Sequence, residues 1–129
     1  MRILVALLIF LAVPARAIEM CDSGKRVTCV VDGDTLWFRG EKIRMMGYDT
    51  LEAITGICGG QKEIRLAARA SKRLVQLLNH NTVTIERHGK DKYGRTLAVI
   101  RVGIRNVGDI LIAERLARSW PEGQEFWCE

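Results

Sequence analysis

Three short stretches hold the residues able to do chemistry. The first is Val30-Val31-Asp32-Gly33-Asp34-Thr35. The second is Ile43-Arg44-Met45-Met46-Gly47-Tyr48-Asp49-Thr50-Leu51-Glu52, and the third is Asp91-Lys92-Tyr93-Gly94-Arg95. Carboxylates hold hard metal ions, and guanidinium groups grip phosphate. Both kinds in one small chain point to metal-assisted cleavage of a phosphodiester. Each residue alone has a plainer reading. Asp32 and Asp34 flank Gly33 and would suit a tight hairpin turn. Arg44 could form a surface ion pair, and Arg95 could close a polar turn. The company they keep favours the chemical reading. Arg44 falls amid apolar Ile43, Met45 and Met46, which suggests a directed role. Asp34 is joined by Asp49 and Glu52, which suggests a metal. Asp32 either shapes the turn or supports Asp34.

The elements that must position these residues are short. Arg26 to Val31 reads as a strand, Asp32-Gly33-Asp34 as a turn, and Thr35 to Arg39 as a second strand with Leu36 and Phe38 on one face. Gly40-Glu41 turns the chain into a third strand, Lys42 to Tyr48. The stretch from Asp49 to Gly60 has no sustained period and reads as a loop. Gln61 to Leu78 is a helix, with Ile64, Ala67, Ala68, Leu74, Val75, Leu77 and Leu78 along one apolar stripe. Arg65, Arg69, Lys72 and Arg73 lie off that stripe and read as a solvated face. Thr82 to His88, with Val83 and Ile85 inward, and Thr96 to Val102 complete five strands. A shorter helix is expected from about Asn106 to Ala117, followed by an irregular tail. The pattern describes an α+β, mainly β, fold: a five-stranded OB-type Greek-key barrel with two packed helices. His80 and His88 sit at element ends and receive no catalytic role. Trp120 and Trp127 could stack on bases, although capping the barrel end is favoured.

Residues 1–17 read as a signal peptide. Arg2 supplies the positive start, Ile3 to Val13 the apolar run, and Ala15-Arg16-Ala17 the small residues of a cleavage site. Residues 18–129 then form one domain, secreted or periplasmic, with no stable membrane association after cleavage. The whole chain has 20 Lys+Arg against 15 Asp+Glu. Losing Arg2 and Arg16 lowers the net charge from +5 to +3, a mild excess that suits a polyanion. Cys21, Cys29, Cys58 and Cys128 form an even set in an exported domain and read as two disulfides, with three pairings open. No Cys-x-x-Cys spacing supports zinc.

Taken together, the three stretches resemble the staphylococcal nuclease, or thermonuclease, family. The resemblance runs from about Arg26 to Trp120. It rests on Val-Asp-Gly-Asp-Thr at 31–35, Ile-Arg at 43–44, Asp-Thr-x-Glu at 49–52 and Asp-x-Tyr-Gly-Arg at 91–95. Arg115-Leu116-Ala117 resembles the family's Gly-Leu-Ala. The resemblance implies one Ca²⁺ ion held by Asp34, Asp49 and the Thr50 carbonyl, with Glu52 acting on the attacking water. It implies phosphate contacts from Arg44 and Arg95, and substrate contacts from Tyr93 and Lys92. It also implies Cys21–Cys29 and Cys58–Cys128 pairing. The substrates would be single-stranded DNA and RNA, the products 3′-phosphates, and the protein a monomer. The family usually has proline where this chain has Leu51, beside Glu52. Two other readings stand against the enzyme: a non-catalytic OB-fold module binding nucleic acid or protein, and a disulfide-stapled structural module. The second does not explain the acids and arginines.

Overall fold

A computed structural model describes residues 17–51, 58 and 60–128. Residues 1–16 of the expected signal peptide, and Glu52, lie outside the described residues. Strand β1 (Cys29–Asp32), β2 (Thr35–Phe38) and β3 (Glu41–Met45) form an antiparallel meander. Alternation sends Leu36 and Ile43 inward as direct cross-strand partners, both fully buried. The expected third strand ran on to Tyr48. Instead the chain kinks at Met46 and at Gly47, whose φ is 83°. Tyr48–Asp49 becomes a separate short strand, β4.

Helix α1 (Gly60–Asn79) carries the chain over the sheet. Its buried residues, Glu63, Ala67, Ala70, Ser71, Leu74 and Leu77, recur at helical spacing. The inner stripe therefore includes Glu63, which accepts from the Cys58 N–H at 3.2 Å. It leaves out Ala68, which is exposed. Arg65, Arg69 and Lys72 face solvent, and Arg73 pairs with Glu114 at 2.7 Å. Strand β5 (Val83–Lys90) returns antiparallel to β6 (Thr96–Val102). Val83, expected inward, is exposed because it sits at the rim of the sheet. The inward residues of β6 are Thr96, Ala98, Ile100 and Val102, a strict alternation.

The sheet order is β1-β2-β3-β6-β5, with β3 and β6 parallel and α1 in the crossover between them. Such a crossover is what a parallel pair requires. The expected five strands and two helices are thus present in an OB-type α+β fold. Short β7 (Arg105–Asn106) leads into α2 (Val107–Ala113), whose first turn is capped by Asn106 Oδ1 accepting from the Gly108 N–H at 2.8 Å.

Helix α2 stops earlier than the expected Ala117. Arg115 takes a left-handed conformation with φ 57°, and the Leu116 N–H reaches back to the Leu111 carbonyl. This is the position where the resembling family has glycine. The side chain spans outward, its guanidinium 4.6 Å from the Phe126 ring centre. Strand β8 (Arg118–Ser119) then pairs with β4, and a single 3₁₀ turn, Phe126–Cys128, ends the described chain. Disulfides join Cys21 to Cys29 and Cys58 to Cys128, the two pairings the resemblance implied. No described helix is long and apolar enough to cross a membrane.

One acid ties three strands together. Glu41 on β3 accepts from Arg87 of β5 at 2.7 Å and from the Thr96 hydroxyl of β6 at 2.8 Å. Hydrogen bonds from Arg87 and then Thr96 hold its carboxyl down at about 2, from an ordinary 4.5. A depressed carboxyl stabilises the fold above its unfolded pKa and loses that contribution as pH falls through the folded one. Acid denaturation of Glu41→Gln, followed by circular dichroism, should therefore show a flatter loss of stability between pH 4.5 and 2 than the parent. Parallel curves would show that the clasp contributes nothing.

Candidate metal and phosphate site

The β1–β2 turn places the first acids. Asp32 pairs across the hairpin with Thr35, and its Oδ1 accepts from the Asp34 N–H at 3.2 Å. Gly33 is needed here for close approach. A Cβ on it would lie 2.7 Å from Thr50 Cγ2 and 3.0 Å from the Ala70 Cβ on α1. The turn is therefore pressed against both Thr50 and the helix.

Asp34 is buried at 6 % exposure, and a buried carboxylate needs partners. They arrive from three segments. Oδ1 accepts from the Thr35 hydroxyl at 2.8 Å. Oδ2 accepts from the Thr50 N–H at 3.0 Å and the Thr50 hydroxyl at 3.2 Å. Arg44 Nη1 lies 3.1 Å from the same oxygen.

Arg44 is the hub on β3. Its Nη1 also donates to the Met45 carbonyl at 3.1 Å and the Tyr48 carbonyl at 3.2 Å, and Nη2 lies 3.5 Å from Asp49 Oδ1. The kink at Gly47 makes this possible, because it folds the Tyr48 carbonyl and Asp49 back toward the arginine. Tyr48 anchors the kink from inside, its fully buried hydroxyl donating to the Gly33 carbonyl at 2.8 Å. Burial, with the charge of Asp34 added, pushes that phenol well above its ordinary value, so it stays a donor.

Asp32, Asp34, Arg44, Asp49 and Thr50 are thereby brought together. The set offers oxygen donors of the kind that a hard cation takes. Burial, and then the neighbouring Asp34 charge, push the Asp32 carboxyl up to about 7 from 3.8. Burial likewise raises Asp49, against the lowering hydrogen bond from Arg118. Crowded acids of this kind are what a divalent ion relieves, and oxygen donors are what Ca²⁺ takes. Asp34 Oδ1 retains acceptor capacity beyond its one hydroxyl partner.

The 91–95 turn is a second unit. Asp91 Oδ1 accepts from the Tyr93 and Arg95 N–H groups, each at 2.9 Å, and its Oδ2 takes the Arg95 Nε at 2.7 Å. Lys92 and Arg95 both lie over the Tyr93 ring, at 5.1 and 5.4 Å, and Tyr93 is 71 % exposed. The Ile43–Thr96 register sets this turn beside the start of the β3–β6 pairing, but the Arg95 guanidinium is engaged with Asp91 rather than with Asp34 or Asp49.

Leu51 is buried with Ala67 and Trp127 in a small apolar cluster of its own. Trp127 is therefore buried against Leu51 and Ala67, apart from the main core, whereas Trp120 is 53 % exposed. Arg118 was not anticipated: it binds Asp49 across 69 residues of sequence, a distance that no local pattern spans.

Acids and an arginine thus converge beside the β3–β6 pair of an OB-type domain. The family model described as "Staphylococcal nuclease homologue" matches residues 42–125, and the chain belongs to that family. That stretch includes Arg44, Asp49, Thr50 and the 91–95 turn, while Asp34 precedes it. The chain is similar to the thermonuclease of Staphylococcus intermedius, at 34 % identity over 95 residues, covering 70 % of this chain and 55 % of that protein. It is 32 % identical to the thermonuclease of Staphylococcus hyicus over 99 residues, covering 73 % of this chain and 57 % of that one. The chain thus spans little more than half the length of these relatives.

Gly33→Ala tests the packing that assembles the site. The added methyl must displace Thr50 from Asp34 or push α1 outward. Urea denaturation should show a loss of about 1–3 kcal/mol. A loss under about 0.5 kcal/mol, the range of an ordinary surface change, would mean that the contact yields freely.

Proposed function

We propose that the protein is an exported, Ca²⁺-dependent nuclease that hydrolyses phosphodiester bonds of DNA, RNA or both and leaves 3′-phosphate ends. The observation that carries this reading is the Arg44 fork, which lies 3.1 Å from Asp34 and 3.5 Å from Asp49. One guanidinium and two carboxylates thus share one spot. Family membership and two thermonuclease relatives support it. Two disulfides suit an oxidising compartment, as does the apolar leader. Single-stranded substrates and a monomeric protein belong to the same proposal.

In this reading Asp34, Asp49 and the Thr50 carbonyl hold one Ca²⁺ ion. When bound, the ion would neutralise phosphate charge and carry ordered water. The chain's own residues do the rest. Glu52, three residues beyond Asp49, orients or deprotonates the attacking water. Arg44 turns from Asp34 and Asp49 to the scissile phosphate as the substrate anion arrives, and donates to its non-bridging oxygens. Arg95 exchanges Asp91 for the same phosphate, stabilising the charge that builds during attack. Tyr93 and Lys92, exposed on the same turn, contact a flanking phosphate. Planar guanidinium groups suit this work because two parallel N–H donors match two oxygens, which an ammonium cannot do.

The purified mature chain should cut single-stranded DNA or RNA with Ca²⁺ present, and chelator should stop it. Binding without chelator-sensitive cleavage would replace the enzyme with a nucleic-acid-binding module. Arg95→Ala should lower turnover by about 10²–10³ with little change in melting temperature, since its ion pair with Asp91 lies near the surface. Unchanged turnover in that variant would remove Arg95 from the mechanism.

A further inference from the structure

Arg118 occupies a position that the chemistry above does not use. It sits on β8 opposite Asp49 on β4, in direct register. Its Nε and Nη2 reach one oxygen of Asp49, Oδ2, at 3.1 and 3.0 Å. The other oxygen, Oδ1, is the one that faces Arg44. The remaining donors are committed elsewhere. Nη1 donates to the Gly123 carbonyl at 2.9 Å, and Nη2 also lies 3.0 Å from Glu125. The guanidinium is 4.9 Å from the Trp120 ring centre and 5.9 Å from that of Trp127. The side chain is only 11 % exposed. A group held on so many sides moves little, and whatever it binds is held with it.

We infer that Arg118 is a positioning residue: its fork captures Asp49 Oδ2 and so presents Oδ1 to the site as a single, fixed oxygen ligand. The inference rests on the proposed role of Asp49 in holding a cation. Its physical basis is the second layer common to metal sites, in which a ligating carboxylate is oriented by a donor that never touches the ion. The tail enters the same arrangement. Gly123, Glu125 and Trp127 fix Arg118, and Trp127 packs on Leu51, two residues from Asp49. Where the family usually has a stiffening proline, this chain has a leucine clamped from the tail.

Arg118→Lys keeps the positive charge and removes the fork, so a change in affinity reads geometry alone. Calorimetric titration of Ca²⁺ into the folded variant should show affinity weakened about 10–100-fold. In an Asp49→Asn background the same substitution should cost less than about twofold, because the residue acts through Asp49. A purely structural staple would lower the melting temperature without this coupling. If the lysine variant does not fold, Arg118→Gln is judged by the same criterion. Unchanged or tighter affinity in the folded variant, or an equal loss in both backgrounds, overturns the inference while leaving the site reading intact. Wild-type protein that binds no Ca²⁺ overturns the site reading and this inference with it.

Discussion

The buried carboxylate of Asp34 is the constraint around which the chain is arranged. A charge taken out of water must be met by donors, and removing one partner of such a pair costs about 3–5 kcal/mol. Here the donors come from the adjoining strand, from the segment after β4 and from Arg44 on β3. Satisfying one acid therefore brings three pieces of backbone together. The features around it serve that convergence. Gly33 lets Thr50 and α1 come close, Gly47 kinks the chain so that Asp49 follows, and Tyr48 bolts the kink to the turn from below.

The same arrangement meets the crowded acids with arginines. Arg44 spans Asp34 and Asp49, and Arg118 closes on Asp49 from the other side. Both arginines act as internal counter-ions, and both are anchored to backbone carbonyls as well as to acids. The division of labour between them follows from their surroundings. Arg44 stands between the two acids. Arg118 is locked by the tail and two tryptophans.

Much of this was legible in the residues themselves. The bounds of α1 and β6 were read almost to the residue, α1 from its apolar recurrence and β6 from the turns at Gly89–Gly94 and Gly103–Arg105 that flank it. Asp32, Asp34, Arg44 and Asp49, which the fold brings together, stood out because they lie in two compact stretches. What escaped was long-range or conformational. The break between β3 and β4 depends on a left-handed glycine inside an otherwise extended run. The early stop of α2 depends on an arginine adopting the conformation usually left to glycine. Val83 followed the strand pattern, but its strand lies at the sheet edge, where alternation no longer decides burial. Glu63 is a charged residue on a buried stripe, against the ordinary rule for helices. Arg118 is visible only once β8 pairs with β4. The 91–95 turn was recognised as a unit, but Asp91, the acid that holds Arg95, carried no assigned role.

The central claim is that Asp34, Asp49 and Thr50 converge to hold a hard cation. Calorimetric titration of Ca²⁺ into the mature chain, set beside Asp34→Asn, tests it most directly. The account predicts one ion per wild-type chain and loss of that binding in the variant. No binding to the wild type, or equal binding in both proteins, would contradict it.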